Sequence, residues 1–139
     1  MNSVRKLARL NSEDRRLLLE AGLILIRIRL SLLILPWRRA VAAARTLPMR
    51  APRRVAPSHA AWAIRNASRM VPGATCLTRA LALQHLLNRA GHATRLSLGV
   101  SNGACGFEAH AWVEHDGEPL LDAPEELARY ARLLTMDRL

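Results

Sequence analysis

From Leu17 to Leu35 apolar residues crowd out almost everything else: "LLLEAGLILIRIRLSLLIL" carries only three charges, Glu20, Arg27 and Arg29. Ser12, ahead of Glu13 and Asp14, reads as an N-cap with an acidic first turn, and Pro36 stops the run. Residues 12–35 are therefore predicted as one helix. Arg16, Glu20, Arg27 and Ser31 share a stripe of its wheel, while Arg29 falls outside that stripe. "WRRAVAAARTL" (37–47) is a shorter helical piece, and "PMRAPRRVAP" (48–57), with three prolines and three arginines, reads as a linker. Ser58 is expected to cap a helix running to about Met70. Pro72-Gly73 makes a turn, Thr75 is the next N-cap, and Cys76–Ala90 form a helix ended by Gly91.

Beyond Gly91 the period changes from helical to alternating. "ATRLSLGVS" (93–101) and "FEAHAWVEH" (107–115) read as strands, and "PLLD" (119–122) as a third short one. Glu125–Leu134 is predicted to close the chain as a helix. Helices followed by a small antiparallel sheet define an α+β domain. Residues 1–57 form an N-terminal helical segment and linker, and 58–139 the core, within one compact unit.

Composition narrows the function classes. The chain has 139 residues, half of them hydrophobic, which is enough for one modest core. Two cysteines, Cys76 and Cys105, are too few for a disulfide scaffold and fit a reducing, cytoplasmic setting. The net charge of +10 is lopsided, because 18 of the 21 basic residues lie before Glu108 and eight of the 11 acids lie from Glu108 onward. All but one of the basic residues are Arg, and they are spread along several helices, which speaks against a nucleic-acid-binding arm. Glu20, Arg27 and Arg29 break the apolar run below the length of a membrane span, and no signal-peptide cleavage site follows it.

Cys76 heads its helix after a Pro-Gly turn. A free thiol is mostly protonated at neutral pH, and the unpaired N–H groups of a helix N-terminus favour the thiolate. The same N–H groups suit the oxyanion of a tetrahedral intermediate. A small, commonly buried residue at a helix start is the alternative. A nucleophile needs a base. His85 and His92 lie along or just past the same helix, His59 begins another, and His115 sits at a turn. His110 stands mid-strand between Ala109 and Ala111, with room for an imidazole and need of a partner.

Asp122 is that partner in one hairpin register. A two-residue Asp116-Gly117 turn pairs 115 with 118 and sets Asp122 on the face opposite His110. A three-residue loop, His115-Asp116-Gly117, pairs 110 with 122 and sets them side by side, at the expense of Glu114 facing Glu118. Gly117 at the third loop position favours the three-residue form; otherwise Asp122 caps the strand end. Cys76, His110 and Asp122 then form a Cys-His-Asp arrangement, with His110 as base and Asp122 holding its ring. Cys105, in "SNGACGFE", is read as a bystander. No metal-ligand spacing and no phosphate loop occur, so neither metal nor cofactor is expected.

"CLTRALALQHLLNRAGHATRLSLGV" followed by "FEAHAWVEHDGEPLLD" resembles the transglutaminase-like cysteine peptidases of lasso-peptide biosynthesis, and "EDRRLLLEAGLILIRIRLSLLILPWRR" is similar to that family's helical leader segment. The most specific matches are Cys76 to Arg79, the His-Ala-Trp-Val run from His110, and Asp122. The resemblance implies a transglutaminase-like core with Cys76 as nucleophile, His110 as base and Asp122 as orienting acid. It implies removal of the leader peptide from a ribosomally made precursor, before an ATP-dependent cyclase closes the ring. It further implies the stand-alone form, working with a small leader-binding partner, since residues 1–57 contain no strands. Arg50, Arg53 and Arg54 of the linker are expected to meet acidic groups on leader or partner, or simply to be solvated. An acyltransferase or transglutaminase would use the same triad, and a non-catalytic basic binding module and a membrane-surface protein using residues 17–35 are the other rivals.

Overall fold

The computed structural model describes residues 9–45, 54–103 and 106–137. Cys105 and the linker residues Arg50 and Arg53 lie outside the described residues.

Helix α1 spans Ser12–Ile34. Its N-cap is Asn11 rather than the expected Ser12: Asn11 is extended and its side chain accepts from the Asp14 N–H at 2.8 Å. Asn caps as well as Ser, so the helix starts where the backbone first leaves the extended form. Leu35 is extended, as a residue before proline prefers. Helix α2 is Trp37–Arg45. Helix α3, Pro57–Ser68, begins on Pro57 and not behind a Ser58 cap; Ala56 is the N-cap and makes no side-chain bond. Proline's fixed φ suits the first helical position, and its missing N–H costs nothing there.

Helix α4, Cys76–Arg89, has the expected Thr75 cap. It ends in a Schellman motif: Gly91 sits at φ +87°, its N–H reaches Asn88 O at 3.0 Å, and His92 N–H reaches Leu87 O at 2.9 Å. Strands β1 (Arg95–Gly103), β2 (Gly106–His115), β3 (Glu118–Pro119) and β4 (Ala131–Asp137) form one antiparallel sheet in the order β3-β2-β1-β4. Helix α5 is a single turn, Pro124–Leu127.

The expected closing helix over Glu125–Leu134 is thus replaced by that one turn and a strand. Leu134 and Met136 of β4 pair with Leu98 and Leu96 of β1, and the register slips at Leu98/Gly99, where Leu133 is the extra residue and stays exposed. The run 127–134 has helical spacing, but a bulged strand satisfies the open edge of β1, which a helix could not.

One hydrophobic cluster joins Leu17, Leu25 and Ile28 of α1, Val41 of α2, Ile64 of α3, Leu83 and Leu87 of α4, and Leu96, Ala111 and Val113 of the sheet. The sheet therefore lays its Leu96/Ala111/Val113 side on the helices. Its other side carries Ser97, Gly99, His110 and Trp112.

Candidate active site

Thr75 builds the N-terminal end of α4. Its hydroxyl accepts from the Thr78 N–H at 3.3 Å, and its carbonyl takes the Arg79 N–H at 3.0 Å. The N–H groups of Cys76 and Leu77 are then the first-turn donors without a partner inside the helix. The approach to this turn is held from outside. Gly73 has φ +72°, and a Cβ there would stand 2.7 Å from the Arg29 guanidinium, so that side chain lies flat on the Pro72-Gly73 turn. This explains why Arg29 leaves the polar stripe of α1: it covers the loop that delivers Cys76. Cys76 is half-buried and packs against the edge of the core.

On β2 the polar-side positions carry the second group. His110 Nε2 lies 3.1 Å from Asp122 Oδ1, and both side chains are about four-fifths buried (18 % and 21 % exposed). A carboxylate only accepts, so Nε2 carries the hydrogen and donates it, which leaves the lone pair of the neutral ring on Nδ1. The hairpin reaches this contact in a different way from the expected one. Pairs are His115↔Glu118 and Glu114↔Pro119, around a two-residue turn with Asp116 at φ 51° and Gly117 at φ 79°. The three-residue loop is therefore incorrect. Asp-Gly accepts positive φ at both positions, as the type I′ turn requires, and this register spares Glu114 the facing Glu118. Pairing persists to the Leu120 N–H bond with Val113 O at 3.2 Å; the chain then bends through 120–122 and turns Asp122 onto His110's side. A bend, and not strand alternation, makes the contact.

Two further rings close around His110. Tyr130, just after α5, stacks on it with centroids 5.2 Å apart and planes at 26°, and Trp112 lies at 6.1 Å and 19°. Trp112 is clamped by Glu114, which accepts from its Nε1 at 2.9 Å and from Arg132 Nη2 at 2.6 Å. Gly99 makes room for that indole: a Cβ there would stand 2.8 Å from Trp112 Cη2. The Tyr130 hydroxyl accepts from Arg129 at 3.0 Å and donates to Glu108 at 3.3 Å. Tyr130 was not singled out in the sequence, and Glu114 figured there only as a residue facing Glu118. The available signal was Glu108, His110, Trp112 and Glu114 at alternate positions of one strand; nothing local announces Tyr130.

The structure thus brings His110 and Asp122 together. Among the described residues no hydrogen bond joins the Cys76 thiol to either. Three of the other histidines are engaged elsewhere. His59 pairs with Asp14 at 2.7 Å, His92 meets Val55 O at 2.8 Å, and His115 meets Ala93 O at 2.8 Å. Burial, and then the Arg89 charge, push the His85 imidazole below its usual value of 6.5. Among the described residues no three His, Cys, Asp or Glu side chains converge as metal ligands would, and no helix is long and apolar enough to cross a membrane.

This chain belongs to the Transglutaminase-like superfamily, which matches residues 22–135 and so takes in most of α1 together with α4 and the sheet. That superfamily includes cysteine peptidases and transglutaminases. Neither a curated protein nor a solved structure matches the chain.

Proposed function

We propose that the protein is a cysteine peptidase that removes the leader peptide from a ribosomally made lasso-peptide precursor. It would act with a separate leader-binding protein and before an ATP-dependent cyclase forms the macrolactam. The observation that carries this reading is the His110 Nε2–Asp122 Oδ1 bond at 3.1 Å, which commits one ring nitrogen and leaves Nδ1 to take a proton. The likeness of residues 76–100 and 107–122 to that peptidase family supplies the substrate class.

The chemistry follows from those roles. Once Cys76 and His110 are brought within reach of each other, Nδ1 of His110 takes the Cys76 proton, and Asp122 steadies the resulting imidazolium. The thiolate adds to the scissile carbonyl, and the N–H groups of Cys76 and Leu77 face the charge that forms on its oxygen. Collapse breaks the C–N bond, the imidazolium protonates the leaving amine, and the leader stays on sulfur as a thioester. Water, deprotonated by His110, then releases the leader acid and restores the thiol. The freed amine is the group a cyclase needs.

The test begins without substrate. Alkylation of Cys76 is followed by mass spectrometry from pH 4 to 9, in the native chain and in His110→Ala. At about pH 6 we expect His110→Ala to slow the reaction at least tenfold. Cleavage of a precursor in the presence of a leader-binding protein is then measured, with hydroxylamine as competing acceptor. Thioester partition to the added amine at the expense of water would assign an acyltransferase instead. Alkylation indifferent to His110, with and without the partner, would overturn the triad.

A further inference from the structure

Helix α1 is apolar on two opposite sides. Leu17, Ala21, Ile24 and Ile28 are buried in the core. Across the helix Leu19, Leu23, Ile26, Leu30 and Leu33 stand 45–70 % exposed in a straight row. Single exposed apolar side chains are ordinary on a protein surface, but five in line along about 21 Å of helix are not. The steps of four, three, four and three residues are those of a coiled-coil seam, which repeats about every 3.5 residues.

Beside the seam runs a groove of about 370 Å³ between α1 and the end of α3, walled by Leu19, Leu23, Ile26, Ala67 and Met70. Gly22 also lines it, and a Cβ added there would meet nothing within 4 Å. The fold itself therefore has no need of glycine at this position, where it is a poor helix former. Its missing side chain keeps the groove open.

The charges bordering this face are mostly of one sign. Arg15 lines the groove, and Arg16 and Arg27 lie exposed along the other side of the seam. The acid in that row, Glu20, pairs with Arg89 at 3.3 Å.

We propose that this face docks an amphipathic α-helix of another polypeptide, apolar along its seam and acidic along its flanks. A second copy of the chain would set arginine against arginine on a protein of net charge +10. A lipid surface would use a convex apolar arc and has no use for seam spacing or a concave groove. The inference is independent of what Cys76 does.

The probe is a fluorescent helical peptide of roughly three heptads with Leu on the seam and Glu on the flanks, beside a twin with Lys flanks. Vesicles of phosphatidylcholine and phosphatidylglycerol serve as the lipid probe. The variants are Leu23→Ser with Ile26→Ser, and Gly22→Leu, which keeps the face apolar but fills the groove; circular dichroism checks their folding. We expect the Glu-flanked peptide to bind at least tenfold tighter than its twin, and to lose at least tenfold in both variants. Equal affinity for the twins, no binding of either, or binding unchanged by the variants overturns the proposal. So does a dimer in light scattering that the double variant dissolves, which makes a second copy the occupant. Vesicle binding that the double variant abolishes and Gly22→Leu strengthens, without peptide binding, overturns it in favour of a lipid surface.

Discussion

Cys76 and His110 stand on parts of the molecule built by different means. Around Cys76 most devices are short-range: the Pro72-Gly73 turn, the Thr75 cap three residues from its Thr78 partner, and the helical run to a Gly91 stop. Around His110 almost every contact is borrowed. Asp122 arrives by a bend, Tyr130 by way of a one-turn helix, and Trp112 keeps its place through Glu114, Arg132 and a gap at Gly99. A local device survives changes elsewhere in the chain, whereas a borrowed contact fails when any lender moves. The first end is closed by its neighbours in sequence, and the second is an assembly.

Asp122→Asn breaks the comparison most sharply. The amide can still meet His110 but carries no charge and can invert the ring's hydrogen bonding. On the proposed mechanism, precursor cleavage should fall by about 10²–10⁴-fold while the urea midpoint barely moves. A cleavage rate within twofold of the native protein would remove Asp122 from the site. Gly99→Ala tests the borrowed end through packing alone. Its Cβ would meet the Trp112 ring at 2.8 Å and Ala131 O at 3.1 Å, so a loss of about 1–3 kcal/mol is expected, with a changed near-UV signal from Trp112.

Thr75→Ala addresses the local end. Loss of the cap should lower stability by about 1 kcal/mol in urea, and Thr75→Ser should restore it. A larger effect on stability than that of Gly99→Ala would reverse the contrast. His85 on α4 supplies the smallest effect. Its folded-state value lies below 6.5, so the folded chain favours the neutral ring. Stability from this source is complete above about pH 6.5 and is lost as pH falls through 6.5 toward the folded value, because the unfolded chain protonates first. His85→Gln should flatten that part of the urea–pH profile; an unchanged slope would show that His85 does not contribute.

Which features were legible follows the same division. The Thr75 cap, the Gly91 stop and the helix beginning at Cys76 are interactions over three to five residues, and sequence spacing reports them directly. His110 on a strand was also legible, whereas Asp122 was reached through a register that the structure overturns, and a bend at 120–122 makes the contact instead. The hairpin register was misread because Gly117 suits either loop length, whereas the observed two-residue turn also uses the tolerance of Asp116 for positive φ. The 131–137 strand was misread because "ARYARLL" has helical spacing, and only the unpaired edge of β1 decides against it.

Local chemistry along the chain was therefore sufficient to set the first four helices, the Thr75 and Gly91 ends of α4, the place of Cys76 at its head and His110 on a strand. Tertiary structure decided the rest: β4 on β1, Asp122 turned onto the His110 face, Tyr130 stacked on the imidazole, and Arg29 laid over Gly73. The reason is range. A cap or a helical turn is closed by neighbours whose spacing the backbone dictates. A sheet edge, a ring stack or a guanidinium over a loop is closed by residues far apart in sequence, and which of several candidates meet depends on the packing of the whole chain.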